Sequence, residues 1–80
     1  MRRERNPRII LHLEKWRTAR GLRQAELARR VGMTPSAICD LENGRADLPT
    51  GDNLVALADE LRIKVGQLIE ILPKNSDKNN

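Results

Sequence analysis

This chain has very few of the cysteine and histidine residues that metal binding and many catalytic mechanisms require. Cys39 is its one cysteine and His12 its one histidine, so a single chain supplies no zinc set and no Cys–His catalytic pair. The 80 residues also lack a glycine-rich phosphate loop and a recognisable nucleophile–base pair. The sequence therefore predicts no metal, no cofactor and no enzyme activity, and leaves hydrogen bonding and charge as the available chemistry.

Short polar side chains are concentrated in residues 33–47, MTPSAICDLENGRAD. Thr34 can cap a helix, and Pro35 suits the first helical position because an N–H there would have no partner. Gly44 can adopt the left-handed conformation that often ends a helix. The stretch predicts a helix of about two turns, near residues 35–42. Its exposed face is expected to carry Ser36, Ala37, Cys39 and Asp40.

Charge is divided unevenly along the chain. Residues 1–30 hold ten basic and three acidic residues, a net charge of +7, whereas residues 31–80 hold five basic and eight acidic residues, a net charge of −3. This split favours a polyanionic partner contacted through the first half, although a merely soluble surface can have the same composition. The single cysteine favours a cytoplasmic setting, and the lack of a long apolar run predicts no membrane span.

Apolar residues at helical spacing predict a compact all-α domain of five helices. The expected helices lie near residues 7–20, 24–31, 35–42, 51–61 and 65–72. Their limits follow from Asn6-Pro7 before the first, Gly32 after the second, Thr50 before the fourth and Pro73 after the fifth. No segment alternates long enough to predict a strand.

The domain limits follow from these boundaries. Residues 1–6 are expected to form a basic arm, residues 7–73 the folded domain, and residues 74–80 a disordered polar tail. The arm could reach a polyanion or could remain a frayed, solvated terminus, and the sequence leaves both open.

A short link around Gly32 joins the second and third helices. So short a link between two short helices forces a steep crossing, which is the helix-turn-helix arrangement. Ala28 supplies a small side chain where the helices touch, and Gly32 is expected to have a positive φ. Ile38 and Leu41 are the expected apolar anchors of the third helix.

From residue 17 to residue 45 the sequence resembles the Cro/CI-type (XRE) helix-turn-helix family of phage repressors and bacterial regulators. The resemblance rests on Arg17, the GL-x-Q of residues 21–24, the LA of residues 27–28, Gly32, Ile38 and the ENG of residues 42–44. Downstream, LVALADELRIKVGQLIEIL is similar to the family's fourth and fifth helices. The resemblance implies a phage-repressor-like domain that binds double-stranded DNA in transcription regulation.

The same resemblance implies roles for the matching residues. The helix near 35–42 would be the recognition helix in the major groove, and Gln24 would bind a DNA phosphate and brace it. Arg17 and Glu42 would form a structural ion pair, and Asn43 and Arg45 would hold phosphates. The full implied DNA-binding set is Arg23, Gln24, Thr34, Pro35, Ser36, Ala37, Asp40, Asn43 and Arg45.

Departures from the family's pattern make base reading by this helix sparse. Arg23 replaces a usual Ser or Thr cap, Pro35 replaces a longer polar residue, and the loop between residues 44 and 58 is one residue longer. Asp40, at a position that is often polar or basic, could accept from a cytosine amino group or could pair with Arg45, which we favour. Cys39 could be a redox sensor, but a small helix residue is the favoured interpretation.

Two kinds of partner follow from these patterns. A DNA-binding regulator is expected to act as a homodimer on a palindromic site, since one short helix reads few bases. The alternative is an antitoxin or adaptor whose primary partner is a toxin or another regulatory protein. Candidates for the dimer surface are Ile63, Val65, Ile71 and Leu72.

Overall fold

Five short helices and two three-residue strands make up residues 8–73, the part of the chain that the computed structural model describes. In chain order they are β1 (Ile9–Leu11), α1 (Leu13–Ala19), α2 (Gln24–Val31), α3 (Pro35–Glu42), α4 (Gly51–Leu61), α5 (Val65–Leu68) and β2 (Ile69–Ile71). The expected arm (residues 1–6), the Asn6-Pro7 cap and the expected tail (residues 74–80) lie outside the described residues. The predicted helical, five-helix fold class is confirmed.

One apolar cluster holds the helices together. α2 packs against α3 and α4, α1 packs against α3, and α4 packs against α5. The fully buried larger side chains of this cluster are Leu13, Leu27, Ile38, Leu57, Leu61 and Leu68. Because Ile38 and Leu41 attach α3 to the cluster, the opposite face of α3 is turned outward. None of the helices within residues 8–73 has the length and apolar character needed to cross a membrane.

The middle three helices have the predicted limits. Gly32 ends α2 with a φ of +76°, which confirms the left-handed conformation expected there. Thr50 caps α4 as predicted, since its Oγ1 accepts a hydrogen bond from the Asn53 amide at 3.5 Å. These limits were predictable because each is set by residues within one helical turn.

The two outer helices are shorter than predicted, and the expectation of no strand was wrong. The first helix begins at Leu13, because Ile9–Leu11 form β1. The fifth helix ends at Leu68 and does not reach Leu72, because Ile69–Ile71 form β2.

Backbone hydrogen bonds between the two ends of the domain explain both corrections. β1 and β2 pair antiparallel, with Ile10 opposite Glu70. Next to this pairing, the His12 amide donates to the Leu68 carbonyl at 2.7 Å. Apolar residues at helical spacing also fit a strand this short, so spacing alone could not separate the two structures.

Two side-chain truncations on α4 test which residues form the core. Leu57 is fully buried, whereas Val55, on the same helix, is 50% exposed. We expect Leu57→Ala to lower the free energy of unfolding by about 2–5 kcal/mol, because it removes buried methyl groups and leaves a cavity. Val55→Ala should change it by less than about 0.5 kcal/mol. Urea unfolding followed by circular dichroism measures both, and equal losses would contradict the assigned core.

Candidate nucleic-acid interface

α2 and α3 are joined by a tight turn at residues 32–34. After the left-handed Gly32, the Met33 amide donates to the Ala28 carbonyl at 2.8 Å, which satisfies a carbonyl at the end of α2. Ala28 is buried beneath this turn, as predicted for the point where the helices touch. The predicted helix-turn-helix of α2 and α3 is therefore confirmed.

The start of α3 is capped and exposed. Thr34 Oγ1 accepts a hydrogen bond from the Ala37 amide at 3.1 Å, and Pro35 occupies the first helical position. Thr34, Pro35 and Ser36 are all exposed. The beginning of α3 thus presents short side chains and the positive end of the helix dipole to solvent.

A nearly buried ion pair connects α1 to the last residue of α3. Arg17 Nε donates to Glu42 Oε2, and Arg17 Nη2 donates to Glu42 Oε1 at 3.1 Å. The two side chains are only 11% and 3% exposed. The hydrogen bond with Glu42 raises the pKa of Arg17, against the opposing effect of burial. The remaining guanidinium nitrogen, Nη1, donates to the Leu22 carbonyl at 2.7 Å, a partner that the sequence does not reveal.

Gln24 joins the same carboxylate from α2. Its Nε2 donates to Glu42 Oε1 at 2.9 Å, which uses one of the two N–H groups of the amide. One carboxylate at the end of α3 therefore accepts hydrogen bonds from side chains of α1 and α2. We call Arg17, Gln24 and Glu42 the Glu42 brace.

The start of α2 is held by an acidic residue. The Arg23 amide donates to Glu26 Oε1 at 2.9 Å, which satisfies the amide of the N-cap residue, while the Arg23 side chain makes no capping hydrogen bond. This hydrogen bond lowers the pKa of Glu26, and the nearby charges of Arg23, Arg29 and Arg30 act in the same direction. A lowered pKa means that Glu26 stabilises the fold above its ordinary pKa, and that this contribution is lost as the pH falls through the lowered value.

The end of α3 carries an exposed ion pair. Arg45 Nε and Nη2 each lie 3.3 Å from Asp40 Oδ1, and the two side chains are 47% and 44% exposed. The Arg45 amide also donates to the Asp40 carbonyl at 2.8 Å. The predicted pairing of Asp40 with Arg45 is therefore confirmed.

Asn43 and Cys39 contact each other beside this pair. Asn43 Nδ2 donates to the Cys39 carbonyl at 2.9 Å and lies 3.4 Å from Cys39 Sγ. Cys39 is partly buried, and Arg45 Nη2 lies 3.9 Å from its sulfur.

The implied DNA-binding residues lie on three connected segments. Arg23 and Gln24 stand at the start of α2, residues 34–37 at the start of α3, and Asp40, Asn43 and Arg45 at its end. Their contacts with DNA stay predictions. Within residues 8–73, no three His, Cys, Asp or Glu side chains are grouped to hold a metal ion.

Two arginines outside the predicted site, Arg20 and Arg30, connect other elements of the fold. Arg20 Nε donates to the Leu61 carbonyl at 2.7 Å, and Arg30 Nη1 lies 3.0 Å from Glu60 Oε2. A backbone carbonyl has no sequence signature, and Glu60 lies 30 residues beyond Arg30. Neither contact could have been found without the fold.

The turn, the brace and the exposed start of α3 together define a helix-turn-helix domain. The helix-turn-helix family model matches residues 13–68. The chain belongs to the Cro/CI-type (XRE) helix-turn-helix family, a family of DNA-binding transcriptional regulators.

The chain is also similar to individual regulators and solved structures. An uncharacterized HTH-type transcriptional regulator of Methanocaldococcus jannaschii is 38% identical over 71 residues, which covers 82% of this chain and 29% of that protein. The chain therefore spans less than a third of that relative's length. The restriction-modification controller protein C.AhdI from Aeromonas hydrophila matches with a TM-score of 0.66 and 33% identity, covering 71% of this chain and 85% of that one. The SOS-response transcriptional repressor LexA from Eubacterium rectale matches with a TM-score of 0.68 and 28% identity, covering 84% and 70%.

The Glu42 brace can be tested by removing its carboxylate. Glu42→Ala leaves the nearly buried Arg17 guanidinium without its counter-charge, so we expect the free energy of unfolding to fall by about 3–5 kcal/mol. Glu60→Ala is the matched control, because it removes the acid of the more exposed Arg30 pair and should cost less than about 1 kcal/mol. Urea unfolding measures both variants. Similar losses for the two would show that Glu42 has no special role.

Proposed function

We propose that this protein binds double-stranded DNA sequence-specifically as a transcriptional regulator, with α3 in the major groove. The observation that carries the proposal is the Glu42 brace: Arg17 and Gln24 fix the end of α3, while residues 34–36 at its start stay exposed. A helix held in this way can enter a groove without first being ordered, so less binding free energy is lost to ordering.

The phosphate contacts would come from the segments that flank α3. Helix starts present free N–H groups and partial positive charge, which suit phosphate oxygens. Gln24 would donate its second amide hydrogen to a phosphate while the first stays on Glu42, and Arg23 would add its charge alongside. Asn43 and Arg45 would bind phosphates after α3. Such contacts position the protein without reading sequence.

Base reading would fall to the few side chains on the outer face of α3. The Ser36 hydroxyl can donate or accept, the Ala37 methyl can contact a thymine methyl, and the Asp40 carboxylate can accept from a cytosine amino group. Thr34 and Pro35, at the start of the helix, would lie at the edge of this contact. So small a set supplies limited discrimination.

A homodimer on a palindromic site would double that discrimination. Two apolar side chains near the end of the described region are available for the contact between copies, since Ile71 is 64% and Leu72 37% exposed. Ile63 and Val65 are partly buried against the core and would contribute less.

The charge of the chain supports this orientation. Residues 1–30, with a net charge of +7, contain the α1 and α2 side of the brace and the basic residues of the arm. We propose that the arm, residues 1–6, adds phosphate or minor-groove contacts, and that the protein acts in the cytoplasm. A reducing compartment suits the free thiol of Cys39.

Selection of bound duplexes from a random library tests the proposed function. We expect an enriched inverted repeat with half-sites about one helical turn (~34 Å) apart. Fluorescence anisotropy should show that affinity for the enriched duplex falls steeply between about 50 and 200 mM salt. If no sequence is enriched and retention does not depend on salt, the proposal is wrong. A tight stoichiometric protein complex without DNA affinity would indicate the adaptor or antitoxin instead.

Two substitutions, one of the N-cap residue of α2 and one within α2, distinguish the loss of a phosphate contact from a general loss of positive charge. Arg23→Gln should weaken binding to all duplexes and lower the slope of log K against log salt by about 0.9, because one phosphate contact is lost. Arg30→Gln is the control: it removes the same charge, but its guanidinium is engaged by Glu60. Anisotropy titrations at several salt concentrations give both slopes, and equal changes in the two variants would contradict the role of Arg23.

A further inference from the structure

The segment of the chain that contains α3 is poor in positive charge. Arg45 is the only basic residue from residue 31 to residue 61, a segment that contains α3, α4 and the loop between them. The same segment holds six acidic residues: Asp40, Glu42, Asp47, Asp52, Asp59 and Glu60. The positive charge that this segment can offer to phosphates near the end of α3 therefore depends on what Arg45 is paired with.

Arg45 is paired with an acid on the face that would meet DNA. Two of its guanidinium nitrogens lie 3.3 Å from one oxygen, Oδ1, of Asp40. The pairing is local, because the Arg45 amide is bonded to the Asp40 carbonyl at the end of the helix. Both side chains are nearly half exposed, so solvent screens the pair and either partner can exchange it for another.

We propose that Asp40 is a specificity-determining residue that keeps Arg45 off the phosphates of non-cognate DNA. It releases Arg45 only where the base that faces its carboxylate is cytosine or adenine, which offer the amino donors N4 and N6. This inference rests on the proposed function, because it concerns how the same interface selects its site.

The charge balance of the groove supports this exchange. A carboxylate near guanine N7 and O6 or thymine O4 meets only acceptors on those bases and gains no hydrogen bond. On such DNA, Asp40 keeps Arg45 as its partner, and the pair contributes no net charge towards phosphate. An amino group on the base can replace the guanidinium as the partner of Asp40. Arg45 is then free to bind a phosphate, which adds one released counterion.

The exchange predicts that the salt dependence of binding by the unmodified protein differs between two duplexes. The slope of log K against log salt should be steeper on the selected site than on a scrambled duplex of the same composition, by about 0.9 per half-site. Asp40→Asn should remove this difference by freeing Arg45 everywhere. It should also tighten binding to the scrambled duplex by about three- to tenfold at low salt. In library selection, the same variant should shift preference towards adenine at one position, because an amide pairs with adenine N6 and N7.

Two further variants test whether release of Arg45 causes the effect of Asp40→Asn on the salt slope. Asp40→Asn made in an Arg45→Gln background should leave the salt slope unchanged, since there is no guanidinium left to release. Asp47→Asn is the matched control, because it removes the same charge from an exposed residue in the next loop. Circular dichroism and urea unfolding confirm that every variant is folded.

The inference and the proposed function fail in different ways. If the unmodified protein selects a site but Asp40→Asn changes neither the slope nor the preference, the inference is wrong and the proposed function stands. An equal effect of Asp47→Asn, or an undiminished slope effect of Asp40→Asn in the Arg45→Gln background, would also overturn it. If the unmodified protein enriches no duplex at all, the proposed function itself fails.

Discussion

The arrangement of the proposed DNA surface depends on one carboxylate, that of Glu42. Burying a charge is costly unless it is paired and hydrogen bonded, and Glu42 meets this condition through the Arg17 guanidinium and the Gln24 amide. The three side chains come from α1, α2 and the end of α3, so satisfying the charge fixes the relative positions of three helices. A helix of eight residues is not stable alone, and α3 relies on this brace and on its buried Ile38 and Leu41.

The two ion pairs of α3 serve different purposes because their exposure differs. The Arg17–Glu42 pair is almost removed from water, so it specifies one orientation and resists exchange. The Asp40–Arg45 pair is close to half exposed, so its partners can be replaced by groups of a ligand. The fold thus places a fixed pair behind the helix and an exchangeable pair on the face that we assign to DNA.

Local signals made much of this fold predictable. α2, α3 and α4 begin and end at residues whose own side chains or conformations set the boundary, such as Thr34, Gly32 and Thr50. The strands could not be predicted because Ile9–Leu11 gain their hydrogen bonds from Ile69–Ile71, about sixty residues away. The site divides in the same way. Asp40 and Arg45 are close in sequence, whereas the Arg17–Glu42 pair spans 25 residues and was expected only from the family resemblance.

We propose that the brace presents α3, and the starts of α2 and α3, to duplex DNA. The most direct measurement is a titration of ¹⁵N-labelled protein with the selected duplex, followed by amide chemical shifts. We expect the largest changes at Gln24, at Thr34, Ser36 and Ala37, and at residues 43–45, with little change in the β1–β2 pair; Pro35 has no amide to report. Changes concentrated on β1, β2 and α5, with α3 unaffected, would contradict it.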